Sequence, residues 1–182
     1  CGSEAPAIGQ DELCYHLAQP RNYVRSGAVY EVPYSVNALW PFMMHMLFTL
    51  GELFQGAELA KLFHYTTYLL TGAAVTCWAR RASGGKAAVL CGAVYLLMPG
   101  ALMQAGFAYI DNALALYVLL SVYAMSVYTD TTERPWLILS GLCGGLAIST
   151  KLIGLFGVAA VLVFLLLSSA VRVERRRALL PD

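Results

Sequence analysis

The stretch Gly154-Leu155-Phe156-Gly157-Val158-Ala159-Ala160-Val161-Leu162-Val163-Phe164-Leu165-Leu166-Leu167 carries no polar side chain. Wound as a helix it is apolar on every face, whereas a helix on the surface of a soluble domain keeps a polar one. The rest of the chain has the same character. Of 182 residues, 59% are hydrophobic and 13% charged, with a mean hydropathy of +0.63. Soluble domains run at roughly 45–50% apolar and about 25% charged. A soluble nucleic-acid binder, a disordered tail and a disulfide scaffold are excluded, and a net charge of +1 supplies no basic field for nucleic acid.

Working outward, residues 62–79, 87–110, 112–129, 135–150 and 152–171 contain no Asp, Glu, Lys or Arg. Each window is close to the ~20 residues that cross a hydrocarbon core. The predicted fold is all-α: a polytopic transmembrane helix bundle of about five spans, near 58–79, 87–104, 112–129, 135–150 and 153–171. An extracytoplasmic segment with interfacial helices (1–57) precedes the bundle (58–171), and a basic tail (172–182) follows it. The Lys/Arg bias of the connections sets orientation. Arg80, Arg81, Lys86, Arg134 and the Arg172–Arg177 cluster share one side, against Arg21, Arg25, Lys61 and Lys151 on the other. The N-terminus is therefore placed outside and the C-terminus in the cytoplasm.

Residues 1–35 lack the positive and apolar regions of a secretory signal. A short helix is predicted from Asp11 or Gln10, broken by Gly27, and a second from near Ser35 or Asn37. Residues 37–54 are apolar but hold Pro41, His45, Gly51 and Glu52. They read as an interfacial helix anchored by Trp40 and Phe42, with a sixth span as the alternative. Cys1-Gly2-Ser3 resembles a lipoprotein start, and an upstream span is the other expectation for so abrupt a beginning. Cys77, Cys91 and Cys143 sit in apolar windows, and no C-x-x-C spacing suggests zinc or redox chemistry. Gly141, Gly144, Gly145, Gly154 and Gly157 read as small-residue faces for close helix packing.

Four charged residues fall where a membrane makes them costly: Asp11 and Glu12 in the first segment, Asp111 between two windows, and Lys151 between the last two. All four belong to the outer side. Taken separately, Asp111 could cap a helix, Lys151 could snorkel, and Asp11-Glu12 could be a solvated helix start. Together they suit chemistry at the membrane surface. A carboxylate can deprotonate an acceptor hydroxyl, and a lysine ammonium can hold a lipid-linked phosphate as a point charge. Asp11, Glu12 and Asp111 are the candidate catalytic residues, and Lys151 and Arg21 the candidate phosphate-binding ones. No residue is assigned as a metal ligand, although adjacent carboxylates with His16 could hold a divalent cation.

This order of an acidic pair, an aromatic amphipathic segment, a span ending Ala79-Arg80-Arg81, a Tyr109-Ile110-Asp111-Asn112 loop and a Ser149-Thr150-Lys151 loop resembles the GT-C glycosyltransferases. The likeness runs over about residues 10–171. These integral membrane enzymes use polyprenyl-phosphate sugars and include protein O-mannosyltransferases and lipid A aminoarabinose transferases. The chain is most similar to bacterial dolichyl-phosphate-mannose-type relatives of undefined acceptor. The resemblance implies Asp11 as base, Asp111 as second outer acid, Lys151 as carrier-phosphate lysine, and Pro33–Phe48 as a second juxtamembrane helix. It also implies a bacterial inner membrane location and a lipid-linked sugar donor as partner. Family members have a span before the acidic pair and several more downstream, so a fragment or a shortened relative is expected here. Two hypotheses follow: a transferase moving sugar to an extracytoplasmic acceptor, and a non-catalytic subunit packed among protein partners in a larger membrane complex. A transporter is weaker, because no inverted repeat is evident.

Overall fold

The computed structural model describes residues 7–33 and 42–178, with side chains as far as Ser168. Cys1, Trp40, the helix start near Ser35 or Asn37 and the end of the basic tail lie outside the described residues. Every regular element among the described residues is helical. A π-helical turn, Glu12–His16, leads into α1 (Ala18–Ser26). There follow α2 (Met43–Phe54), α3 (Ala57–Ser83), α4 (Gly85–Leu96), α5 (Pro99–Ala105), α6 (Asp111–Thr131), α7 (Arg134–Thr150) and α8 (Gly154–Ala178). The charge-free windows lie within these helices and the short connections before α5, α6 and α8, because charged residues gather at the helix ends.

The stops have local causes. Gly27 closes α1 in the left-handed conformation (φ 67°), where a side chain would be strained. The expected 87–104 span is not one helix: α4 and α5 meet at a 60° bend. Pro99 lacks an N–H and pushes Met98 into an extended conformation (φ −66°, ψ 119°). The Tyr68 hydroxyl donates to the Leu96 carbonyl at this break.

Helix direction follows from the cross-links. His64 of α3 bonds the start of α6 through Asn112, and Arg81 near the end of α3 pairs with Asp130 near the end of α6. The two helices therefore run parallel. The α6–α7 pair is antiparallel and carries a reciprocal clasp, in which each hydroxyl of Ser121 and Ser140 donates to the other residue's carbonyl (2.8 Å). Such hydrogen bonds satisfy buried hydroxyls inside an apolar bundle. α8 turns back onto both. A Cβ at Gly154 would lie 2.6 Å from the Ala147 carbonyl, and one at Gly157 would lie 2.7 Å from Val118. Gly144 also packs closely, against Val158. Gly141 and Gly145 meet nothing within 4 Å, so the predicted small-residue face is narrower than expected.

Among the described residues, α6 is the one helix long and apolar enough to cross a membrane, and the bent α4–α5 pair passes only when taken together. α3 is long but diluted by polar residues, α7 has 17 residues, and α2 is a shorter apolar helix. By length and apolarity alone, the described residues thus hold one clear span, or two with the bent pair. The end of the bundle where α6 starts and α7 finishes is closed by the N-terminal segment. Leu17, Met44 and Phe48 form one buried apolar cluster there with Ala60, Ala108, Ile110 and Ala113. Burying a side chain such as Phe48 contributes roughly 1.5–3 kcal/mol.

Candidate active site at the closed end of the bundle

Glu12 is fully buried and organises this end. The N–H groups of Ile8 and Gly9 donate to its Oε2 (3.1 Å each), and Ala108 N–H donates to Oε1 (2.8 Å). One carboxylate thus ties the first segment to the loop before α6. His64 holds the same loop from below. Its Nδ1–H donates to the Phe107 carbonyl (2.8 Å), and its Nε2 accepts from Asn112 N–H (3.3 Å), which fixes the neutral tautomer. Asn112 then accepts from the Tyr95 hydroxyl (3.2 Å) and donates to the Ala101 carbonyl (3.3 Å). Sequence reasoning missed His64 and Asn112. A histidine inside a charge-free window was the available signal for the first, and an asparagine at a span edge for the second.

Replacing Glu12 by Gln leaves one carboxylate-type oxygen and turns an amide N–H₂ toward backbone donors. Unsatisfied buried donors cost about 1–3 kcal/mol. The variant is expected to unfold at lower temperature, and a thermal scan that superimposes on wild type would refute this role for Glu12.

The tightened loop sets Asp111 as the first residue of α6, with Ile110 at the cap position. Asp111 is therefore not the helix cap, though the helix dipole favours a carboxylate in the first turn. Lys151 ends α7 in an extended conformation (φ −157°, ψ 136°). Its Nζ lies 2.9 Å from Asp111 Oδ1, with 42% and 40% of the two side chains exposed. Two residues 40 positions apart, each singled out by sequence, form one ion pair. An ion pair this exposed is worth roughly 0–1 kcal/mol, so a competing anion can open it.

Asp11 differs from its neighbour in being exposed. The charges of both Asp11 and Asp111 act on the Tyr15 phenol. Burial first, then the neighbouring Asp11 carboxylate, pushes the Tyr15 phenol well above its ordinary range, so it keeps its proton. Tyr109, stacked on Phe107 with centroids 5.3 Å apart, is raised by burial and by Asp11, Glu12 and Asp111. Asp11, Tyr15, Tyr109, Asp111 and Lys151 thus share one electrostatic neighbourhood. Arg21 goes elsewhere: its Nε lies 3.1 Å from Glu52 Oε1, joining α1 to α2.

Behind Tyr15 lies a buried histidine pair, His16 Nδ1 and His45 Nε2, 3.0 Å apart with rings stacked at 5.0 Å. Burial lowers His45 from 6.5 to about 4. Burial, then the neighbouring His45 and Lys151, lowers His16 to about 2. Both depressed values mean that the unfolded chain binds more protons below pH 6.5. Stability is then fully present above about pH 6.5 and is lost on acidification toward pH 4 and below, at about 1 kcal/mol per pH unit for each histidine. Denaturant unfolding between pH 8 and 4 checks this, and His45→Gln should flatten part of the slope.

The divalent-cation expectation does not fit these contacts. Both Glu12 oxygens are engaged by backbone donors and His16 Nδ1 by His45. Among the described residues no group of three His, Cys, Asp or Glu side chains is placed to hold a metal.

No curated protein and no solved structure matches the chain. A family model does, that of dolichyl-phosphate-mannose-protein mannosyltransferase, over residues 32–175. Asp111 and Lys151 fall inside the matched residues, and Asp11, Glu12 and Arg21 precede them. With most of its length matched, the chain belongs to the dolichyl-phosphate-mannose-protein mannosyltransferase family, integral membrane glycosyltransferases of the GT-C superfamily.

Proposed function

We propose that the closed end of the bundle transfers a sugar from a polyprenyl-phosphate donor to an extracytoplasmic acceptor. The observation that carries this reading is the half-exposed Lys151–Asp111 pair beside exposed Asp11. Lys151 holds the donor phosphate, and Asp11 takes the proton of an acceptor hydroxyl. The new bond joins that oxygen to the sugar's anomeric carbon. The bond that breaks links this carbon to phosphate oxygen, and polyprenyl phosphate leaves with the electron pair. Asp111 supplies the second carboxylate, which holds Lys151 until a phosphate arrives. Glu12 is a positioning residue, and Arg21 steadies α1 against α2 through Glu52 rather than meeting the donor.

In this reading α3, the bent α4–α5 pair, α6, α7 and α8 are five crossings, supported by their alternating directions. The site faces outward and the Arg80–Arg81 end faces the cytoplasm of a bacterial inner membrane. Residues 1–57 form the extracytoplasmic unit, 58–171 the bundle and 172–182 the tail. α2 lies along the interface and presents exposed Leu50, Leu53 and Phe54 to lipid.

The test is reconstitution in liposomes with labelled polyprenyl-phosphate mannose and a membrane extract as the source of acceptor. Label moving to acceptor in wild type, and not in Lys151→Met, supports the transferase. The second reading, a non-catalytic subunit, draws on the exposed apolar faces of α4 and α8, which suit partner helices as well as lipid. A chain that binds no polyprenyl phosphate yet copurifies with fixed membrane partners would establish it instead.

A further inference from the structure

His16 and His45 are both buried, and one bond of 3.0 Å joins His16 Nδ1 to His45 Nε2. The two outer nitrogens of the pair differ. His45 Nδ1 is shut off from solvent with no hydrogen-bond partner among the described residues. His16 Nε2 has no partner either, yet it is not shut off, so it is the edge of the pair that reaches the open side. That asymmetry fixes the protons. Burial holds both rings neutral, and a neutral imidazole carries a single N–H. If His16 Nδ1 were the donor, His45 would keep its proton on Nδ1, a buried N–H with no acceptor. Orphaned buried N–H groups are rarer than bare acceptors and forfeit the donor's full solvation. His45 Nε2–H is therefore the donor, His16 Nδ1 accepts, and His16 presents Nε2–H outward.

The surroundings of that N–H belong to the candidate site. Glu12–His16 is a single π-helical turn, with Asp11 at its start, His16 at its end and Leu17 N–H closing it on the Glu12 carbonyl at 2.9 Å. Single π-helical turns are frequent at functional sites. The His16 ring packs against Tyr15 and Tyr109, with centroids 4.2 and 5.9 Å away, and the Lys151 ammonium acts on it electrostatically. A phosphate on Lys151 has further oxygens to satisfy, and a fixed neutral donor beside the ammonium meets one of them without adding charge. We propose that His16 is a second phosphate-binding residue, donating its Nε2–H to a non-bridging oxygen of the lipid-linked phosphate that Lys151 holds. His45 is its positioning residue, because the bond between the rings sets the tautomer. His16 takes this role within the transferase reading above, whose donor site it completes.

Long-range proton–nitrogen correlation spectra of the full wild-type chain in nanodiscs report the tautomers directly. Both histidines should carry their proton on Nε2, and dolichyl phosphate should shift the His16 Nε2–H. A His16 proton on Nδ1, or no shift on saturation, overturns the proposal. Titration of variants with dolichyl phosphate adds a second reading. His16→Asn keeps an acceptor for His45 at the Nδ1 position but loses the outer donor, and binding should weaken roughly 10- to 100-fold. His16→Gln sets an amide N–H₂ at the Nε2 position and should stay within about threefold of wild type. A purely structural histidine gives the reverse order, because Asn preserves the buried bond; that order, or equal binding by all three chains, overturns the proposal. Phosphatidic acid, the same headgroup on a glycerolipid, should bind more weakly than dolichyl phosphate, and equal binding would assign His16 to a membrane phospholipid instead of the donor. Wild type that binds no dolichyl phosphate removes the transferase reading as well, whereas wild-type binding that survives in His16→Asn removes His16 alone.

Discussion

Replacing Asp11 by Asn lowers sugar transfer by about two to four orders of magnitude and leaves the helical fold unchanged, the range expected for losing a general base. Asp11 is exposed and carries no backbone clamp, so its carboxylate is free to meet an acceptor proton. Asn keeps the shape of the side chain, so its fit is preserved while basicity is removed. The adjacent Glu12 provides the contrast. Its oxygens are filled by three backbone donors, and Glu12→Gln acts on stability before it acts on chemistry. Single-turnover transfer from labelled polyprenyl-phosphate mannose separates the two, with circular dichroism reporting the fold. Transfer by Asp11→Asn within about twofold of wild type would remove Asp11 as the base.

Substitutions in the ion pair move donor affinity in opposite directions. Lys151→Met removes the cation that meets the phosphate and weakens polyprenyl-phosphate binding roughly 10- to 100-fold, the range of a charged hydrogen bond. The folding cost is small, because Asp111 is 40% exposed and water takes over its solvation. Asp111→Asn acts the other way. In the donor-free chain Asp111 occupies Lys151 at 2.9 Å, so the incoming phosphate displaces it. Removing that competitor tightens donor binding about two- to fivefold, in line with an exposed pair worth up to about 1 kcal/mol, while transfer slows. Titration of both variants with dolichyl phosphate in nanodiscs gives the signs directly. Weaker binding in Asp111→Asn would mean that Asp111 assists the phosphate rather than competing with it.

Much of the architecture was legible because charge is so unevenly distributed. The window around Gly154–Leu167 became α8, and 112–129 and 135–150 became α6 and α7 to within a few residues. Asp111 and Lys151 were legible for the same reason, as charges stranded at window edges. The break between α4 and α5 was marked by Pro99 but hidden by hydropathy, which averages over a bend. The site's supports were not legible. His16 and His45 are 29 positions apart, and Glu12 and Ala108 are 96 apart. Nothing local distinguishes the buried member of the Asp11–Glu12 pair from the exposed one.

By itself, the sequence determined an all-helical, strongly apolar chain and the short set of charges able to do chemistry on it. Hydrophobic periodicity and charge placement are local properties, and helices form from local hydrogen bonds. Only the tertiary structure decided which charges act and which hold the fold. Neighbouring residues on a helical turn point in different directions, and packing of the loop before α6 buried Glu12 while leaving Asp11 in solvent. The same packing brought Asp111 to Lys151 and turned Arg21 toward Glu52.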